Sequence, residues 1–178
     1  MRTLILYYSK NGSTQRYAEE IGNAVHGDVM PIKKFKPKMI KDYDTIVFGG
    51  RVVGSRIQKV DYFLRFYDDM KEKNVIIFSV GMSLVSKESR VGLISSNILD
   101  LYHVRFYQLR GSFNYSELGF VDRLMMANSL RVIANDPEAT VDQRALLDIK
   151  ERPIEYYDQA GVDRIISVLH RLAAIPAE

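Results

Sequence analysis

The sequence predicts an α/β fold, a doubly wound parallel sheet with helices on both faces. Three observations predict it. Short β-rich runs alternate five times with helical patterns along the 178 residues. Two of those runs, "DTIVFGG" (44–50) and "NVIIFSVG" (74–81), are continuously apolar, as strands covered on both faces must be. Each parallel crossover has to be right-handed and covered by a helix, so layered winding is the economical solution.

The elements follow in chain order. "TLILYY" (3–8) reads as the first strand. A helix follows, with Tyr17, Ala18, Ile21 and Val25 on one face. "DVMPIK" fits a weaker second strand, and the basic run "KKFKPKMIK" (33–41) reads as a solvated loop. "DTIVFGG" is the third strand, followed by a helix that buries Val60, Phe63, Leu64 and Tyr67. "NVIIFSVG" is the fourth, followed by a helix presenting Val91, Ile94, Ile98 and Leu101 to the core. "VRFYQLRGSF" (104–113) is the fifth. The last helix starts from Asp158 as N-cap, with Val162, Ile165, Ile166, Leu169 and Leu172 forming one stripe.

Composition narrows the classes of function. Apolar residues make up 47% and charged residues 26%, a balance that excludes disorder. The chain has no cysteine, which removes disulfides, thiolate metal sites and cysteine nucleophiles together. Three scattered histidines, His26, His103 and His170, do not make a zinc site. A net charge of +3 is too small to imply nucleic acid. The apolar runs fall short of a bilayer span, and Arg2 leads straight into a strand rather than a signal-peptide core. A single domain in the cytoplasm is the expectation.

In a sheet of this kind ligands bind at the carboxyl ends of the strands, beside the switch point in strand order. The stretch after Tyr8 falls there: Ser9, Lys10, Asn11, Gly12, Ser13 and Thr14. It offers hydroxyls, a side-chain amide, a flexible glycine and the free N–H groups of a starting helix, all suited to a phosphate. The same six residues fit equally a tight Asn11-Gly12 turn with Ser13 capping the helix. Rival phosphate loops lack their parts, since neither GxxxxGK[ST] nor GxGxxG occurs. A phosphatase loop lacks its cysteine, and a receiver domain lacks its acidic cluster after the first strand.

"YYSKNGSTQRYAEEI" resembles the FMN-phosphate loop of flavodoxins, whose pattern [ST]-x-[TSN]-G-x-T is matched by Ser9, Asn11, Gly12 and Thr14. "KDYDTIVFGGRVVGSRI" is similar to that family's third strand, and "NVIIFSVGMS" to its fourth. The resemblance covers nearly the whole chain in order. It implies a three-layer flavodoxin-like sheet of five parallel strands in the order 2-1-3-4-5. It also implies FMN, with the phosphate on residues 9 to 14. The ring would lie between loops 50 to 55 and 79 to 84, contacted by Arg51, Val52, Val53 and Gly54 on one side and Ser79, Val80, Gly81 and Met82 on the other.

Within that group, "GGRVVGSRIQKVDYF", "FSVGMSLVSKESR" and "RPIEYYDQAGVDRIISVL" look more like the quinone-dependent protoporphyrinogen oxidases than like the small electron carriers. Three departures from the carriers agree. There is no Trp, and Val52 and Val53 stand where an aromatic ring would sandwich the flavin. Arg51 brings positive charge that would raise the potential of an anionic reduced ring, unless it is simply an exposed loop residue. The balance is basic where carriers are acidic, which suits anionic partners such as acidic headgroups or carboxylate-bearing porphyrinogens.

An insertion at about 114–157 separates the fifth strand from the last helix. In it, "ELGFVDRLMMANSLRVI" carries Leu118, Val121, Leu124 and Met125 at helical spacing near Arg123 and Arg131. The segment reads as an extra amphipathic helix, with a flavin lid, a homodimer contact and a peripheral membrane contact as further roles. Tyr115 is the insertion's nearest aromatic to the flavin. Three functions stay open: an FMN oxidoreductase exchanging two electrons with a quinone or similar small molecule, an electron carrier serving a redox partner protein, and a flavin-free interaction domain.

Overall fold

The computed structural model describes residues 1–174 apart from 84, 113, 118, 140–142, 145 and 151–154, with backbone only for 117, 121, 122, 125 and 150. The apolar runs pair as their burial on both faces requires. Strands β1 (Thr3–Tyr8), β2 (Asp28–Pro31), β3 (Thr45–Val53), β5 (Asn74–Gly81) and β6 (Arg105–Arg110) form one parallel sheet in the order β2-β1-β3-β5-β6. These are the five expected strands in the expected 2-1-3-4-5 sequence of neighbours. The sheet positions its carboxyl ends together, with Tyr8 paired to Gly50, Arg51 to Val80 and Gly81 to Arg110.

A sixth strand was not legible. β4 (Arg56–Ile57) is two residues long and runs antiparallel to the end of β3, pairing Ile57 with Val52 and Arg56 with Val53. β3 therefore continues three residues past Gly50. Arg51, Val52 and Val53 belong to a β-hairpin rather than to an irregular loop, because two successive β-branched residues favour the extended backbone. Gly54 makes the turn with φ 59°, a left-handed conformation that glycine adopts without strain.

Side chains alternate between the two faces. Ile5, Val47, Ile76, Phe78, Val80 and Leu109 meet Tyr17, Ala18 and Ile21 of α1 (Ser13–Val25), together with Val162, Ile165 and Leu169 of α5 (Gln159–Ala174). Leu4, Leu6, Ile46, Phe48, Val75, Ile77 and Phe106 face the other way, toward α2 (Val60–Leu64) and α3 (Lys87–Ser96). The first and last helices are fastened by tyrosines. The Tyr17 and Tyr157 rings stack at 4.6 Å, and the Tyr157 hydroxyl donates to Glu20. The Tyr17 hydroxyl donates to the Arg110 carbonyl at 2.5 Å and accepts from the Asp158 N–H at 2.6 Å. Asp158 caps α5 as expected, its carboxylate accepting from the Gly161 N–H at 2.8 Å.

The expected apolar face of α3 is corrected. Ile94 alone of the four packs, partly buried, against the core; Val91 is 57% exposed, and Ile98 and Leu101 are also exposed, while Leu93 is only 7% exposed. The inward positions are Ser89, Leu93 and Asn97, one polar-apolar-polar row at helical spacing. Ser89 Oγ accepts from Gln108 Nε2 at 2.6 Å, and Asn97 is satisfied by three hydrogen bonds. Polar groups satisfied in this way can be buried at little cost, so hydrophobic periodicity found Ile94 and missed the rest of the inward row.

The insertion forms α4 (Phe120–Asn135), joined by a 3₁₀ segment at Leu146–Lys150. Leu124 is 65% exposed rather than packed, whereas Leu130 is buried. Leu118 and the side chains of Val121 and Met125 lie outside the described residues. No helix among the described residues is long and apolar enough to cross a membrane.

Candidate functional site

β1 delivers the chain to the switch point, where β2 lies on one side of it and β3 on the other. There Gly12 takes φ 85°, so that Ser13 can begin α1 immediately. Gly12, not Ser13, is the N-cap, and no side chain caps the helix. Ser13 instead sends its hydroxyl to the Ser112 carbonyl at 3.3 Å. Of the capped-turn alternative, the turn at Gly12 is present and the Ser13 cap is not. No side chain caps the first N–H groups of α1, and the helix dipole adds partial positive charge beside them. Thr14, a polar residue, is 2% exposed within this turn.

A cavity of about 300 Å³ opens at this end of the sheet. Its walls include Ser9, Lys10, Asn11, Ser13 and Thr14 from the loop after β1, and Arg51, Val52, Val53 and Gly54 from the β3–β4 hairpin. Val80, Gly81 and Met82 close the third side. Twelve of the fourteen residues singled out in the sequence thus line one cavity. Gly12 and Ser79 do not. Gly12 shapes the turn from behind, and Ser79 is fully buried, its Oγ without a hydrogen-bond partner among the described residues.

Five lining residues were missed: Gly111, Ser112, Met126, Asn128 and Ser129. The first two follow β6, and the rule that ligands gather at strand ends applied to them as well. The other three come from α4, for which no motif gave a signal. Tyr115 is not among the residues lining the cavity. Arg110 braces this side, its Nε donating to the Met82 carbonyl at 3.2 Å while the Gly111 N–H donates to the Gly81 carbonyl at 2.8 Å.

The lining combines apolar residues, Val52, Val53, Val80, Met82 and Met126, with the polar and cationic Ser9, Lys10, Asn11, Ser13, Thr14 and Arg51. Such a cavity can hold a flat apolar body that ends in an anion. Among the described residues no group of His, Asp and Glu could hold a metal ion.

Residues 4–140 match the family model of the flavodoxin domain. The chain belongs to the flavodoxin family. Solved structures similar to this flavodoxin-family chain include a flavodoxin from the domain Archaea, at 17% identity over 85% of this chain and 97% of that one, with a TM-score of 0.49. The two-electron reduced flavodoxin of Megasphaera elsdenii is 18% identical over 60% and 82%, with a TM-score of 0.46. Oxidised flavodoxin 1 of Bacillus cereus is 18% identical over 70% and 90%, with a TM-score of 0.41. No curated protein matches the chain. Membership makes FMN the cofactor of this flavodoxin-family protein and gives it a redox role. The cavity fits that cofactor through its helix start without a side-chain cap, its apolar lining residues and the three segments that converge on it.

Proposed function

We propose that this protein is an FMN-dependent oxidoreductase exchanging electron pairs with a quinone or similar small molecule, with protoporphyrinogen as the electron donor to test first. The observation that carries the proposal is the convergence of residues 9–11, 13–14, 51–54 and 80–82 on one cavity partly walled by α4. When bound, FMN supplies reversible uptake of two electrons, singly or as a pair.

In this reading the uncapped N–H groups of α1, with the Ser9, Ser13 and Thr14 hydroxyls and the Asn11 amide, hold the phosphate. Lys10 adds charge at the same end. Val52 and Val53 on one side and Val80 and Met82 on the other confine the ring, while their backbone groups meet its polar edge. Arg51 stands on the cavity wall, and a cation there favours a ligand that gains negative charge on reduction. Met126 of α4 adds an apolar side chain to the lining, and water displaced there by a bound ring would strengthen that electrostatic effect. A wall of this kind suits a substrate held against the ring. A protein-docking carrier needs the ring edge open to its partner.

The likeness of "GGRVVGSRIQKVDYF" and "FSVGMSLVSKESR" to the quinone-dependent protoporphyrinogen oxidases supports the choice of substrate. The exposed Phe120, Leu124 and Val132 on α4 are compatible with use at a membrane surface.

The test is to titrate FMN into apoprotein and then follow reduction against potential by visible absorbance. A single two-electron wave, with turnover of a soluble quinone when protoporphyrinogen is supplied, is the expected result. Two well-separated one-electron waves without turnover would make the protein a carrier instead.

A further inference from the structure

The hairpin carrying Val52, Val53 and Gly54 to the cavity projects beyond the parallel sheet. Within it, β3 and β4 pair with one another, and the Gln58 N–H donates to the Arg51 carbonyl at 2.9 Å. The outer side of β4 meets the end of α3. Asn97, the residue that ends that helix, is 6% exposed. Its Oδ1 accepts from the Ile57 N–H at 2.9 Å, and its Nδ2 donates to the Ser55 carbonyl at 2.9 Å. The same Nδ2 donates to the Leu93 carbonyl at 2.8 Å. Beside it, Arg56 Nη1 donates to the Ser96 carbonyl at 2.7 Å.

This arrangement is more than a helix end finding partners. One side-chain amide takes an N–H and serves the carbonyl two residues back, as the edge of a neighbouring strand does along a ladder. A two-residue strand with pairing on one side only is marginal by itself. Asn97 supplies the missing side. Its own orientation is fixed by the Leu93 carbonyl one turn earlier, so the hairpin is referenced to the backbone of α3.

We propose that Asn97 is a positioning residue for the cofactor cavity, holding the β3–β4 hairpin in the geometry that receives FMN. The proposal rests on the reading of this cavity as the FMN site. The side-chain hydrogen bonds of Asn97 to the hairpin go to Ser55 and Ile57 rather than to the lining residues 51–54, and it acts by removing the hairpin's freedom before the ligand arrives. Preorganisation of this kind lowers the ordering cost of binding.

The experiment compares the full chain with Asn97→Ala and, as a control, Leu93→Ala, which shortens a core side chain of the same helix and keeps every backbone and side-chain group in the Asn97 hydrogen bonds. Two quantities are read: amide hydrogen exchange at Ile57 in the apoprotein, and the FMN dissociation constant from quenching of flavin fluorescence. Asn97→Ala is expected to speed exchange at Ile57 and to weaken FMN about tenfold, the effect of a few buried backbone groups left without partners. Leu93→Ala is expected to lower the melting temperature while holding affinity within about twofold. Unchanged exchange at Ile57, or loss of affinity in both variants in proportion to lost stability, overturns the proposal. Should Asn97→Ala fail to fold, Asn97→Ser and Arg56→Ala are expected to act in the same direction more weakly, and no effect from either overturns it. If the unaltered chain takes up no FMN, the cofactor reading of the cavity fails, whereas exchange at Ile57 still decides whether Asn97 fastens the hairpin.

Discussion

Thr14 sits at the second position of α1, buried against the turn whose N–H groups Gly12 leaves uncapped. A carboxylate at this position would stand where a phosphate has to approach. Thr14→Asp is therefore expected to weaken FMN binding by at least about a hundredfold, since placing like charges together costs several kcal/mol. Flavin absorbance co-eluting with the variant in gel filtration checks it, and retained flavin would place the phosphate elsewhere. This residue was legible because small hydroxyl and amide side chains around a glycine, directly after an apolar strand, form a local pattern. Asn97 was not. Its partners Ser55 and Ile57 lie about forty residues earlier, and no spacing in the sequence connects them. Ser112 was read only as part of a strand, although its carbonyl meets the Ser13 hydroxyl beside the cavity.

The lesson of α3 is that an inward row need not be apolar. Ser89, Leu93 and Asn97 occupy it, with the two polar members satisfied by Gln108 and by the hairpin backbone. Val91 looks like a core residue in sequence and is exposed in space. Val91→Lys is accordingly expected to change stability by less than about 0.5 kcal/mol. Leu93→Ala, two residues away, is expected to cost about 2–5 kcal/mol. Urea unfolding followed by circular dichroism separates the two, and a large loss from Val91→Lys would restore the original face. α4 was legible as a helix through its spacing, but not as a wall of the cavity. Met126, Asn128 and Ser129 reach the cavity from an element whose direction depends on long-range packing, and local periodicity does not encode direction.

At the scale of the molecule, the five parallel strands and their order followed from apolar runs and right-handed crossovers. β4 did not, because two residues carry too little pattern. Four tyrosines, two of which join the first and last helices, bring a dependence on alkaline pH. Burial holds the Tyr17 hydroxyl up at about 12, while burial, followed by the bond to Glu20, raises Tyr157 as well. Burial raises Tyr43, with the hydrogen bond to Asp28 adding to it, and burial raises Tyr7, with Glu19 adding to it. The unfolded chain releases these protons near the ordinary value of 10.0. Above that pH it binds fewer protons than the native state, so stability falls as pH rises. Stability should be complete below about pH 10 and decline toward about pH 12. Parallel measurements of phenolate absorbance and urea midpoint across that window check the decline, and Tyr17→Phe should make it shallower. A flat midpoint would mean that these hydroxyls ionise freely in the folded protein.

The fastening of α5 to α1 also has a consequence during synthesis. Ile5, Val47, Ile76, Phe78, Val80 and Leu109 are all made before residue 159, yet α5 shares in covering them. At about 5–20 residues per second, the ribosome leaves that sheet face only half covered for seconds while the insertion is being added. The nascent chain is then at its stickiest, so the length of the insertion sets how long a chaperone has to shield it.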